Sequence, residues 1–255
     1  MPCWTQLNAR AAVGIGLYGK LPGLGDFVRR RLPGEFVAVW DNWLQRMVKC
    51  SREALAHDWL DAYLSAPIWR FALPAGICGS SAWVGVLVPS VDKVGRYFPL
   101  TLAINMPIDT DPVGTMFSAQ RWFAALEQYG LAALNQRLDF NAFDERLGRI
   151  GAPDAMAAAD AADDTLPIPS DKAICLHFAD EQSAIGHAGE VLAAQTARGR
   201  PCCLWEAAAA EDEGGRVVML AERLPLEAEF CAMLTGRWAE HGINKHSVAG
   251  ALPSR

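Results

Sequence analysis

The sequence predicts an α+β fold, a largely antiparallel central sheet flanked by helices, and three observations carry that expectation. Apolar residues recur at three- and four-residue spacing over 35–57 and again beyond 111, the period of a helix with one buried stripe. Between 68 and 104 the pattern shifts to short β-branched and aromatic runs separated by turn residues, and strands consecutive in the chain pair antiparallel. Helices and strands intermix without the strict alternation that a doubly wound parallel sheet needs.

Taken in order, Ile15-Gly16-Leu17-Tyr18 reads as a buried strand entering a glycine-rich stretch, and Arg29-Arg30-Arg31 as a solvated turn. Residues 35–57 form a helix whose stripe is Phe36, Val39, Trp40, Trp43, Leu44, Met47 and Val48, with Pro33 near its first turn. A shorter helix starts at Trp59 with Asp58 as N-cap. It stops before Pro67, because proline pushes the residue ahead of it out of the helical region. Three strands follow over 68–73, 81–88 and 98–104. Asp111 with Pro112 behind it opens a helix carrying Met116, Phe123, Leu126, Ala133 and Leu134, and a short helix covers 141–147. Residues 151–170 turn to Ala, Asp and Pro and read as an exposed connection. Beyond it come a strand over 173–178, a helix over 181–197, strands over 201–205 and 216–221, and a last helix over 225–234. The expected organisation is a first region over 1–150, the connection over 151–170, a second α/β region over 171–235 packed on the same unit, and a loose tail over 236–255.

A chain of 255 residues is long enough to bury roughly 70–75% of its unfolded surface without staples. Its formal charge of −6 argues against nucleic acid as the partner, since Lys and Arg are not in excess. Seven cysteines include no C-x-x-C pair, and the adjacent Cys202 and Cys203 suit no shared zinc. Cys50, Cys78, Cys175 and Cys231 lie in apolar runs, as reduced thiols behaving like small hydrophobes do. No cationic segment precedes a long apolar run and none reaches the length of a membrane span. The expectation is a cytoplasmic protein with no membrane insertion.

Familiar catalytic patterns are approached and missed. Gly14-Ile15-Gly16-Leu17-Tyr18-Gly19 has the spacing of a dinucleotide fingerprint, but Pro22, Gly23 and Gly25 stand where its helix must run. Gly19-Lys20 nearly completes a P-loop, yet Leu21 replaces the hydroxyl that ligates magnesium. Ser81 and Ser90 lack a nucleophile elbow, and the five histidines show no tight ligand spacing. His177, between Leu176 and Phe178, reads as a packed or edge strand residue. Asp26 and Asp92 could pair as acid and base, but each sits near glycine in a turn, where carboxylates bind nearby N–H groups. Trp40, Trp43, Trp59, Trp69, Trp83, Trp122 and Trp205 fall on core faces. No catalytic residue, metal or cofactor is expected.

The segments that stand out are Gly19-Lys20-Leu21-Pro22-Gly23-Leu24-Gly25-Asp26-Phe27 and Pro89-Ser90-Val91-Asp92-Lys93-Val94-Gly95-Arg96-Tyr97-Phe98-Pro99-Leu100. With Trp40-Asp41-Asn42-Trp43-Leu44, Pro67-Ile68-Trp69-Arg70-Phe71 and Trp83-Val84-Gly85-Val86-Leu87-Val88, they resemble, in order and spacing, the TagF (ImpM) family of type VI secretion-associated proteins. The likeness is looser beyond, through Leu204-Trp205-Glu206 and Leu224-Pro225. It implies longin- or profilin-like layering and a non-catalytic cytoplasmic accessory protein that represses type VI secretion after translation by binding the apparatus's forkhead-associated scaffold. On that reading the 20–27 and 90–99 loops lie together at one end of the sheet. Lys20, Asp26, Ser90, Asp92 and Arg96 orient the contact or organise the loops, with Phe27 or Tyr97 as anchor and Asp26 and Arg96 free to pair with each other instead. Two alternatives stand beside it: a phosphate-handling hydrolase using Lys20, Asp26 and Arg96, and a structural subunit of the secretion baseplate.

Overall fold

The computed structural model describes residues 14–107, 110–154, 173–179, 202–209 and 214–248. In chain order these form β1 (Gly16–Gly19), β2 (Val28–Arg30), α1 (Gly34–Leu55), α2 (Trp59–Ser65), β3 (Trp69–Leu73), β4 (Trp83–Val88), β5 (Leu100–Asn105), α3 (Pro112–Ser118), α4 (Gln120–Ala133) and α5 (Phe140–Gly148). Then follow β6 (Ile174–Phe178), β7 (Cys203–Ala208), β8 (Arg216–Ala221), α6 (Glu227–Thr235) and β9 (Lys245–Val248). The helix expected over 181–197 and most of the 151–170 connection lie outside the described residues.

The strands make one sheet in the order β2-β1-β5-β4-β3-β7-β8-β6-β9. Every neighbouring pair is antiparallel except β6 with β9. Alternation along each strand feeds two cores. Leu100, Leu102 and Ile104 of β5 join Val113 and Met116 of α3, Phe123 and Leu126 of α4, and Phe143 and Leu147 of α5. On the opposite face Ala103 joins Phe36, Trp40, Trp43, Leu44 and Met47 of α1, Trp59 and Tyr63 of α2, and Phe230 of α6. Sheets buried on both faces need apolar residues at nearly every position, which is why β3 and β4 read as continuous runs. Trp40 sits at the middle of the second core: its ring stacks with Trp205 at 6.0 Å and its indole N–H donates to Thr101 Oγ1 at 2.7 Å.

Five local expectations are corrected. The triple arginine is no solvated turn: Arg29 and Arg30 form edge strand β2, in register with Tyr18 and Leu17, while Arg31 donates to the Ile15 carbonyl. An edge strand tolerates charge because one face and one backbone row meet water. Asp58 does not cap α2 through its side chain. A 3-10 turn at Ala56–Asp58 runs into the helix with helical dihedrals, leaving no extended N-cap residue. Asp111 does cap, accepting from Val113 N–H at 2.9 Å, but the helix it opens breaks at Ala119 into α3 and α4. Residues 236–248 are no loose tail: Trp238 and Ile243 are buried and residues 245–248 extend the sheet alongside β6. Trp122 is half-buried, not a core residue, and donates to the Gly151 carbonyl.

The sheet's two halves meet where β3 pairs with β7 and Arg70 faces Glu206. Both side chains are buried. Arg70 donates to Glu127 of α4 at 2.6 Å and to Glu206 at 3.5 Å, while Arg216 donates to Glu206 at 3.0 Å. A buried ion is tolerated only when paired, so removing one partner leaves an uncompensated charge. Arg70→Met is expected to cost about 3–5 kcal/mol in denaturant unfolding. Glu206→Leu takes a carboxylate from Arg216 as well as from Arg70, so its cost and that of Arg70→Met are expected not to add, a coupling that a double-mutant cycle reads directly.

Candidate functional site

β1 ends, β4 ends and β5 begins at the same edge of the molecule, so the loops leaving them emerge side by side. Gly19 makes this approach workable. Its φ is +138°, and a Cβ there would stand 2.2 Å from the Pro99 carbonyl oxygen. Four contacts then stitch the 20–27 loop to the 90–99 loop. Lys93 N–H donates to the Leu24 carbonyl at 3.0 Å and Ser90 Oγ to the Lys20 carbonyl at 2.7 Å. Arg96 donates to the Gly25 carbonyl at 2.6 Å, and Lys20 Nζ lies 3.1 Å from Asp92.

Asp92 is the node. Its Oδ1 accepts the backbone N–H groups of Val94 at 3.0 Å and Arg96 at 2.8 Å; its Oδ2 accepts Arg96 Nε at 2.6 Å and faces Lys20. The turn is closed by Gly95 N–H to the Asp92 carbonyl, with Gly95 at φ +84°, a conformation that favours glycine. Burial alone would raise the Asp92 carboxyl. The Arg96 N–H, the Arg96 guanidinium, Lys20 and the Val94 N–H outweigh it and hold the group well below the usual carboxylate range.

Aromatic rings support both loops. Phe27 stacks on Tyr18 at 5.8 Å, meets Phe98 edge-on at 4.8 Å and lies under the Lys20 ammonium at 4.9 Å. Tyr18 donates to Asp41 of α1 at 2.6 Å; burial first, and that carboxylate second, push its phenol up. On the other side Tyr97 packs edge-on against Trp59 and Tyr63 of α2. Tyr63 donates to the Ser90 carbonyl and accepts the Ser90 N–H, and burial raises its phenol as well.

The structure thus brings all seven predicted residues to one corner and gives them different positions. Lys20, Ser90 and Asp92 are buried; Tyr97 is half-buried; Asp26, Phe27 and Arg96 reach water. The pairing of Asp26 with Arg96 does not form. Arg96 goes to Asp92 and the Gly25 carbonyl, while Asp26 accepts its neighbour's Phe27 N–H at 2.8 Å. Lys20, Asp26 and Arg96 therefore do not converge on a shared open space. Of the near-fingerprint glycines, Gly14 precedes β1 while Gly16 and Gly19 belong to it, and β1 runs into a turn and β2 with no helix following. Sequence reasoning missed Phe98 and Tyr63, which support the loops, and Val94, which crowns the second. Only the aromatic pair Trp59 and Tyr63, four residues apart on a short helix, hinted at the second of these. Among the described residues no group of three His, Cys, Asp or Glu is placed to hold a metal, and no helix is long and apolar enough to cross a membrane. The thiols of Cys78, Cys175, Cys202, Cys203 and Cys231 are buried, and Cys50 is half-buried.

Because the folded carboxyl of Asp92 is depressed, its contribution to stability is complete above the ordinary aspartate value of about 4 and declines as pH falls below it. Asp92→Asn is expected to flatten the acid limb of the stability–pH curve. In hydrogen exchange the amides of Val94 and Arg96 should lose protection while those of β4 keep theirs.

Residues 16–150 match the family described as the TagF N-terminal domain, type VI secretion system-associated. The crystal structure of PA0076 from Pseudomonas aeruginosa PAO1 is similar over 94% of this chain and 99% of its own, at 31% identity and a TM-score of 0.68. No curated protein matches. The family match spans β1 through α5, with both stitched loops inside it. The chain belongs to the TagF family of type VI secretion system-associated proteins.

Proposed function

We propose that this protein restrains type VI secretion after translation, acting in the cytoplasm as a stoichiometric, non-catalytic binder of the apparatus's forkhead-associated scaffold. The observation that carries the reading is the fusion of two loops, distant in sequence, into one rigid corner through the buried Asp92. A surface ordered before contact loses little conformational freedom on binding, which favours recognition. Phe27 supports the same reading: one part of its ring is fixed by Tyr18 and Phe98 and the rest is open to water. Anchors of this kind dominate binding energy at protein interfaces. Lys20 is buried against Asp92, an arrangement that suits holding loops better than handling phosphate.

Pull-down from secretion-competent cytosol tests this. The wild-type chain is expected to retain the scaffold at near-equal stoichiometry without depleting any small substrate. Phe27→Ala, confirmed folded by circular dichroism, is expected to weaken the complex by about 30-fold or more and to release secretion. Wild-type binding and repression in the folded variant would remove this corner from the mechanism. Copurification with the assembled baseplate, in place of the free scaffold, would favour a structural subunit.

A further inference from the structure

We infer that this corner recognises an acidic protein surface with an apolar socket that receives Val94 and Phe27; the inference rests on the docking function proposed above. Val94 stands at the apex of the Asp92-organised turn and is 67% exposed, more than any other large apolar side chain among the described residues. Phe27, 43% exposed, lies on the loop joined to that turn through Leu24 and Gly25. An apolar side chain displayed on a turn that is already rigid is costly to leave in water and costs little entropy to insert.

The charges around these two side chains set the partner's sign. Lys93, beside Val94, is exposed and forms no ion pair among the described residues. Arg29 directs its Nε to the Leu32 carbonyl and likewise forms none. Arg96 keeps more than half of its side chain in water. Against them Asp26 is exposed, Asp92 is sealed under two cations, and Asp41 is held by Tyr18 and Gln45. Elsewhere in the acidic chain several arginines pair internally: Arg30 and Arg31 with Asp144, Arg46 with Glu227, Arg223 with Glu229. Cations left unpaired around an apolar knob complement carboxylates on a partner. A nucleic acid or an anionic membrane would call for a broader basic field than these few side chains supply, on a chain whose formal charge is −6.

Isothermal titration of the purified forkhead-associated scaffold into the full chain, at low and high salt, tests this with Lys93→Glu, Arg29→Glu and Val94→Asp beside wild type. Each substitution is expected to raise Kd by about tenfold or more, and the wild-type Kd to rise with salt. A Kd indifferent to salt and to both charge reversals overturns the inference. Should the scaffold not bind wild type at all, the proposed partner is wrong and a second arm decides the chemistry. In that arm a labelled Asp/Glu-rich peptide carrying one leucine is titrated against the same proteins. Binding that Lys93→Glu abolishes sustains an acidic partner; no binding rejects it. Binding of duplex DNA or phosphatidylserine vesicles without the peptide reassigns the corner and also overturns the inference.

Discussion

A carboxylate removed from water must find its compensation in the protein, and Asp92 finds it in two loops at once. The donors it needs come from its own turn, through Val94 and Arg96, and from the loop after β1, through Lys20. Neither loop can relax without leaving this charge short of partners, a penalty larger than most surface contacts supply. The position of the corner therefore follows from an electrostatic requirement, and the apolar side chains it displays are carried along.

The sheet makes that requirement satisfiable. β1, β4 and β5 are adjacent, and Gly19 lets their ends pass within contact of one another. α1 and α2 lie against the same end: the first loop rests on Tyr18 of β1, held in turn by Asp41 of α1, and the second rests on Trp59 and Tyr63 of α2. The aromatic core around Trp40 and Trp205 then ties α1 to both halves of the sheet. Rigidity at the tip thus comes from packing well beneath it.

Much of this was legible from the residues. The stripe on α1, except for Val39, which the structure leaves exposed, and the runs of β3 and β4 were plain because burial on defined faces imposes a period. β2 was hidden because its arginines look solvated whether they lie on an edge strand or in a turn. The end of the chain was hidden because Trp238 and Ile243 stand apart in sequence, and two isolated apolar residues show no period. At the corner, the residue set was readable but the pairing was not. Asp near Gly signals a turn, and nothing local tells whether its carboxylate faces water or, as at Asp92, a lysine some seventy positions earlier.

The β3–β7 junction bears on how the molecule divides. The family match ends at residue 150, after α5, whereas the strand that covers β3 begins at Cys203. A fragment trimmed to the match would display a row of open N–H and C=O groups along β3 and leave Arg70 without its carboxylate across the seam. Raw edges of that kind recruit strands from other molecules. Complementation by the separately made remainder is then the natural fate of such a truncation, and self-association its hazard.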